Sequence, residues 1–287
     1  MQARWIVYLD LDGTLFSSRL TVSKRTRATL HKAESIAEIV LTSGRPAASC
    51  LRIASKLLDT PRVVIASNGG VVVNCRTMDV LGAASFQPGA AAAVAALART
   101  SGMTLCVYHP RQWYANENDA QVLQEVSRSG SRPTLVPEVE AHLEGAVKLL
   151  LIGPPELVQR LCPAVESLGA VTAFSTYPEY LEVMPAGFNK ATAARIAQDF
   201  LDIEGARTMA VGDGIGDLPL FGVVDHSVAV SNAPEVVRRA ATYIAPTNDD
   251  DGAAVAVEAI VLGLKKSKAA LQKAKGRDDR RSSRPPT

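Results

Sequence analysis

The chain has little of what builds metal clusters, disulfide scaffolds or aromatic binding platforms. Its four cysteines, Cys50, Cys75, Cys106 and Cys162, stand far apart with no C-x-x-C pair. That excludes a zinc cluster, a thioredoxin-like motif and a disulfide framework, and it suits a reducing cytoplasm. No Cys has the basic or acidic neighbourhood of an activated nucleophile. The four histidines, His31, His109, His142 and His226, show no ligand spacing. Aromatics make up only 5% of the residues, and on the body of the chain they do not interleave with basic residues as single-strand nucleic-acid platforms do. No apolar run reaches the roughly 18 residues of a membrane helix. Met1-Gln2-Ala3-Arg4 runs into an apolar stretch without a signal-peptide cleavage pattern, so a cytoplasmic protein that neither spans a membrane nor is secreted is expected. A G-x-x-x-x-G-K-[ST] loop is also missing, which disfavours an ATP-driven phosphotransferase.

What is present supports a folded chain. With 287 residues, 47% of them hydrophobic and 21% charged, there is enough apolar surface for one or two packed domains. The formal charge of +2 hides an asymmetry: residues 265–287 carry +7 and the rest −5. This terminus (KKSKAALQKAKGRDDRRSSRPPT) reads as a solvated, disordered tail. Its alternative, binding of nucleic acid or an acidic partner, is confined to the tail.

Residues 4–10 (RWIVYLD) form an apolar run that stops at acids and Gly13, as expected of a buried strand delivering Asp10 to its C-terminal end. Ser23 is placed to cap a following helix. Residues 38–42 (EIVLT) make a second strand, ending at Ser43-Gly44-Arg45-Pro46, and Pro46 opens another helix. Residues 62–66 and 71–75 flank Ser67-Asn68-Gly69-Gly70, a turn between strands. A second alternating block starts near Asn189, with the strand 207–212 leading into the acidic loop DGIGD. The alternation predicts an α/β fold: a Rossmann-like parallel-sheet core with ligands bound beyond the strand ends. Residues 80–187 are long enough for an inserted, smaller α/β domain rather than a loop. The expected division is 1–79 and 188–264 for the core, 80–187 for the insert and 265–287 for the tail.

Asp10 and Asp12 in DLDGT are two residues apart, so in an extended segment both carboxylates face one pocket. One can attack an electrophile while the other, its pKa raised by like-charge repulsion, gives a proton. The same residues would also suit an Asp-Gly turn with a capping Asp. Asp213 and Asp217 bring two further acids to the same sheet edge, a cluster that calls for a hard divalent cation.

Taken in order, DLDGT, SGR, the Lys of GFNKATAA and GDGIGDLPLF resemble the four motifs of the haloacid dehalogenase superfamily. The stretches LEVMPAGFNK, VAVSNAPEVVRRAATYIA and NDDDGAAVAVE are similar to its Cof-type branch, mostly phosphatases with an α/β cap inserted between motifs two and three. The resemblance covers residues 4 to about 262 and is weakest in the cap. It implies Asp10 as nucleophile forming an aspartyl phosphate, and Asp12 as general acid and then base. It implies Mg²⁺ held by Asp10, the Asp12 carbonyl and Asp213, with Asp217 supporting the site through water or by orienting Lys190. Leu11, Ser43, Gly44 and Lys190 would bind phosphate, with Ser43 and Lys190 stabilising charge during transfer. A Lys on a solvated helix face is the plainer reading of position 190. One departure stands out: Gly216 occupies the position where the family usually has an Asn that contacts phosphate.

Substrate choice would fall to Arg45, Asn68, Tyr108, His109, Arg111, Lys148 and Glu182. Tyr108, His109 and Arg111 share a polar-aromatic stretch. Lys148 interrupts an apolar strand, where burial would need an anion or a polar ligand as partner. Packing, turn chemistry or an outward-facing strand would account for the same residues. The function implied is Mg-dependent hydrolysis of a phosphomonoester on a small metabolite, a sugar phosphate being favoured. The alternatives are a phosphomutase and a non-catalytic phosphate-responsive module. Oligomeric state leaves no mark in the sequence.

Overall fold

The computed structural model describes residues 4–116 and 120–271. In chain order its strands are β1 (Trp5–Asp10), β2 (Ala37–Thr42), β3 (Val63–Ala66), β4 (Val71–Asn74), β5 (Val80–Ala83), β6 (Thr104–Tyr108), β7 (Trp113–Asn116), β8 (Thr134–Val136), β9 (Lys148–Ile152), β10 (Val171–Tyr177), β11 (Tyr180–Pro185), β12 (Arg207–Gly212), β13 (His226–Val230) and β14 (Tyr243–Ala245). Its helices are α1 (Lys24–Ala33), α2 (Ala47–Leu57), α3 (Ala90–Thr100), α4 (Ala120–Ser129), α5 (Pro155–Glu166), α6 (Lys190–Leu201), α7 (Leu218–Phe221), α8 (Glu235–Ala240) and α9 (Gly252–Ile260). By packing, the chain forms two compact units, one drawn from Met1–Thr42, Ala54–Arg62 and Leu201–Thr287, the other from Ser43–Ile53 and Val63–Phe200.

In the first unit β14, β13, β12, β1 and β2 lie side by side, every pair parallel. All of β1 is buried, which is why residues 5–9 read as an unbroken apolar run rather than an alternating one. α1 starts where expected: the Ser23 hydroxyl accepts the Thr26 amide N–H at 3.0 Å, satisfying one of the free donors of a first turn. α9 is apolar on almost every face, and its one acid, Glu258, is buried. Arg25 donates to both Glu258 oxygens at 3.2 and 2.7 Å, Thr29 at 2.9 Å and Ser267 at 2.6 Å.

The last contact corrects the expectation of disorder from Lys265 onward. Residues 265–271 are helical, and Leu271 is buried. A charge count could not foresee this, because the order comes from one hydroxyl meeting a carboxylate and one leucine leaving water. The rest of the tail lies outside the described residues.

The second unit carries an antiparallel β3-β4-β5 arrangement and a six-stranded sheet in the order β10-β11-β9-β6-β7-β8. Val80–Ala83, where the sequence marks the start of the insert, pairs with β4 as β5. In the larger sheet β7 and β8 are parallel and the other pairs antiparallel. Side chains alternate across it with period two. Leu105, Val107, Leu149, Leu151, Leu181 and Val183 form one apolar layer with residues of α3 and α5. On the other face Cys106, Tyr108, Leu150, Ile152 and Tyr180 pack with Val122 of α4. Tyr108 and Lys148 are register partners, and Glu182 pairs with Leu150. The parity therefore puts Tyr108, Lys148 and Glu182 together on the α4 face.

Candidate active site

At the C-terminal end of β1 the chain turns sharply through Leu11–Leu15, with Gly13 at φ +78°. The turn needs glycine twice over. An L side chain is strained at this φ, and a Cβ there would lie 2.3 Å from Asp213 Oδ2. The absence of a Cβ lets the loop after β1 close on the loop after β12. Oxygens of Asp10, Asp213 and Asp217 consequently lie within 4.8 Å of one another, with Asp10 and Asp217 buried.

Their orientations are set by neighbours. Thr14 donates to Asp213 Oδ1 at 2.7 Å. Asp217 Oδ2 accepts the backbone N–H groups of Asp213 and Gly214 at 3.1 and 3.0 Å. Asn232 Nδ2 donates to the Gly13 carbonyl at 2.8 Å, and its Oδ1 accepts the Asn248 N–H at 3.0 Å. Thr14 and Asn232 thus brace the carboxylate cluster. Sequence reasoning gave neither a role, although Thr14 belongs to DLDGT and Asn232 to the family-like stretch VAVSNAPEVVRRAATYIA. Three converging hard oxygen donors fit Mg²⁺ better than a softer metal. Asp12, partly exposed, follows in the same turn.

The second unit holds Ser43, Gly44, Asn68 and Lys190, and all but Gly44 are buried. Every carbonyl of Ser43-Gly44-Arg45 is taken. Ser43 accepts the Asn68 amide N–H and Arg45 that of Ser67, both at 2.9 Å, while the Gly44 carbonyl accepts Lys148 Nζ at 2.9 Å. The Arg45 N–H donates to Ser43 Oγ at 3.2 Å. Asn68 is left-handed at φ +57°. Its side-chain amide would be 3.1 Å from a Cβ on Gly44, and its Nδ2, buried, meets no hydrogen-bond acceptor among the described residues. Gly69 packs so closely on the start of α6 that a Cβ would lie 2.3 Å from the Asn189 carbonyl and 2.7 Å from Lys190 N. Asn189 Oδ1 caps that helix by accepting the N–H groups of Ala191 and Thr192 at 2.9 and 3.1 Å. The fold of this unit thereby gathers Ser43, Gly44, Asn68 and Lys190.

The other specificity candidates separate. Tyr108, Lys148 and Glu182 are buried at 0, 1 and 5% exposure. Tyr108 donates to Glu125 Oε1 at 2.6 Å. Burial raises the Glu125 carboxyl above its ordinary value, against the lowering influence of Lys148 and of the Tyr108 hydrogen bond. His109 sits apart, donating through Nε2 to the His142 carbonyl at 2.8 Å with its ring edge-on to Tyr114. Arg111 is exposed and lines a small cavity with Ala47, Leu51, Val73, Met78 and Pro110. The cysteines are free thiols, and burial pushes Cys75 up to about 12, so that thiol stays protonated at neutral pH. Among the described residues no helix is long and apolar enough to cross a membrane.

A parallel α/β sheet with acids gathered where two neighbouring strands end has the form of an enzyme core. A family model for haloacid dehalogenase-like hydrolases matches residues 7–257, and the chain belongs to that family. YxeH of Bacillus subtilis, which bears a phosphatase name without a stated substrate, is 26% identical over 272 residues, covering 90% of this chain and 98% of the relative. YwtE of the same organism, named 5-amino-6-(5-phospho-D-ribitylamino)uracil phosphatase, is 23% identical with the same coverage. A haloacid dehalogenase-like hydrolase from Bacteroides thetaiotaomicron superposes with a TM-score of 0.75 at 27% identity, over 90% of this chain and 99% of that one.

Proposed function

We propose that this hydrolase is a Mg²⁺-dependent phosphatase that cleaves small phosphomonoesters through an aspartyl phosphate. The observation that carries the reading is the convergence of Asp10, Asp213 and Asp217 within 4.8 Å. Asp10, Asp213 and the Asp12 carbonyl would hold Mg²⁺, with Asp217 fixing the Asp213 loop; the bound ion would offset negative charge during in-line transfer. An Asp10 oxygen attacks phosphorus as the ester P–O bond breaks, and Asp12 gives its proton to the leaving oxygen. Asp12 then takes a proton from the water that hydrolyses the acyl phosphate, freeing Asp10 and orthophosphate. Leu11, Ser43, Gly44 and Lys190 bind the phosphoryl oxygens. Asn68 joins them, because its buried Nδ2 meets no hydrogen-bond acceptor among the described residues and a phosphoryl oxygen would supply one.

Residues 80–187 act as the cap that selects the leaving group, with His109 and Arg111 as its exposed or half-buried candidates and Arg45 as one from outside it. A phosphorylated sugar or sugar alcohol is the substrate class, in keeping with the ribityl phosphate in the name of YwtE. A cytoplasmic location suits the free thiols. The decisive experiment is phosphate release by wild type and two variants. Asp10→Asn keeps the fold and loses turnover. Asp12→Asn loses about 10²- to 10⁴-fold, less with aryl than with alkyl esters, because a phenolate leaves without help. Turnover by folded Asp10→Asn near the wild-type rate refutes the nucleophile. Interconversion of hexose phosphate isomers in place of release would make the enzyme a mutase.

A further inference from the structure

Of the three carbonyls in Ser43-Gly44-Arg45, the outer two are held by amides of the adjacent 67–68 turn, and the middle one by a side chain from the six-stranded sheet. That side chain is Lys148, 1% exposed, at the start of β9. Its ammonium lies 2.9 Å from Glu182 Oε2 and 3.9 Å from the centre of the Tyr108 ring. Tyr108 in turn is anchored to Glu125 of α4. The same helix ends on the segment after the loop: Ser49 donates to the Ser129 carbonyl at 2.6 Å, and Arg52 to the Gly130 carbonyl. A lysine buried in this way costs desolvation that a surface alternative would avoid. Glu182 and the Tyr108 ring offset that cost, and one N–H of the ammonium goes to the Gly44 carbonyl.

We propose that Lys148 is a positioning residue for phosphate recognition, held by Glu182 and Tyr108 so that it fixes the Gly44 carbonyl and thereby the direction of the Arg45 N–H that orients Ser43. Peptide planarity transmits the constraint. Fixing the Gly44 oxygen fixes the Gly44–Arg45 plane, hence the Arg45 N–H that holds Ser43 Oγ. Lys148 acts without touching substrate, so its influence falls on phosphate itself and not on the leaving group. The inference rests on the phosphatase reading above, in which Ser43 and Gly44 bind the phosphoryl oxygens.

The test uses the full chain, p-nitrophenyl phosphate as substrate and orthophosphate as inhibitor. Lys148→Met alone would strand Glu182 as a buried unpaired charge, so the main variant is Lys148→Met with Glu182→Gln. The expected result is a loss of about ten-fold or more in both orthophosphate affinity and kcat/KM. Val122→Ala, which opens a cavity on the same sheet face without touching Gly44, lowers the thermal midpoint and leaves orthophosphate affinity within two-fold. If the double variant does not fold, Lys148→Arg keeps the charge but replaces a point donor by a wider planar fork, and the same loss is expected. Orthophosphate affinity and kcat/KM within two-fold of wild type in a folded Lys148 variant overturn the positioning role. A wild-type protein that neither turns over p-nitrophenyl phosphate nor binds orthophosphate overturns the phosphatase reading, and this inference with it.

Discussion

Replacing Gly13 by alanine imposes two perturbations that the structure allows to be separated. The first is backbone strain: a non-glycine residue at φ +78° costs about 1–2 kcal/mol. The second is collision. The new Cβ would stand 2.3 Å from Asp213 Oδ2, so that carboxylate must retreat by about 1 Å to reach an ordinary contact. Its 2.7 Å hydrogen bond from Thr14 is then lost, at about 1.5–3 kcal/mol for a bond to a charged group. Gly89 supplies the control, since it has φ +79° and a methyl added there would meet nothing within 4 Å. Gly89→Ala therefore carries the strain without the collision. Thermal unfolding should fall by about 2–8 °C for Gly89→Ala and by about 5–20 °C for Gly13→Ala, at roughly 2–4 °C per kcal/mol. In a phosphate-release assay Gly89→Ala keeps its rate, and Gly13→Ala loses about 10²-fold, as a 1 Å misplacement of a reacting constellation does. A Mg²⁺ titration should show weaker activation of Gly13→Ala. Activity of Gly13→Ala within three-fold of wild type would refute the claim that this close approach sets the carboxylate cluster.

Burial alone would raise the Glu258 carboxyl, but hydrogen bonds from Arg25, Ser267 and Thr29 outweigh it and hold the group at about 2. A folded value below the ordinary one near 4.3 stabilises the native state above that pH, and the gain is lost as pH falls toward 2. Urea unfolding of wild type and Glu258→Gln should differ by up to about 3 kcal/mol at pH 7, with the gap narrowing from pH 5 to pH 2; a constant gap would locate the effect in packing. Truncation after Leu264 removes Ser267 and Leu271, so it should lower the thermal midpoint by several degrees, roughly the worth of one charged hydrogen bond and one buried leucine, while kcat on p-nitrophenyl phosphate is kept. A fall in kcat at unchanged folding would show that the terminal segment serves the site. Chelation should abolish turnover, Mg²⁺ restore it and Ca²⁺ fail to, because Ca²⁺ takes more ligands at 2.3–2.6 Å than the 2.0–2.1 Å octahedron of Mg²⁺; full activity after exhaustive chelation would remove the metal from the reaction.

Much of this protein was legible without coordinates where the chemistry is local. The unbroken apolar run of residues 5–9 announces a strand buried on both faces, and Ser23 announces the helix it caps. Asp10 and Asp12 draw attention because two carboxylates two residues apart are costly to leave unused. The family resemblance rests on four such short segments in order, and the family match over residues 7–257 bears it out. What stayed hidden depends on partners distant in sequence. The basic terminus reads as solvated by charge, yet residues 265–271 are helical, with Ser267 hydrogen-bonded to Glu258 and Leu271 buried. Lys148 reads as a substrate contact or an exposed strand lysine, since nothing nearby in the chain tells a buried ammonium from a solvated one. Only the register of β9 against β6 and β11 puts Tyr108, Lys148 and Glu182 on one face, and only the fold brings the Gly44 carbonyl within 2.9 Å. Sequence determines which residues carry charge, caps and turns; the direction in which a side chain spends its hydrogen bonds follows from pairing across more than a hundred residues, which periodicity along one segment does not encode.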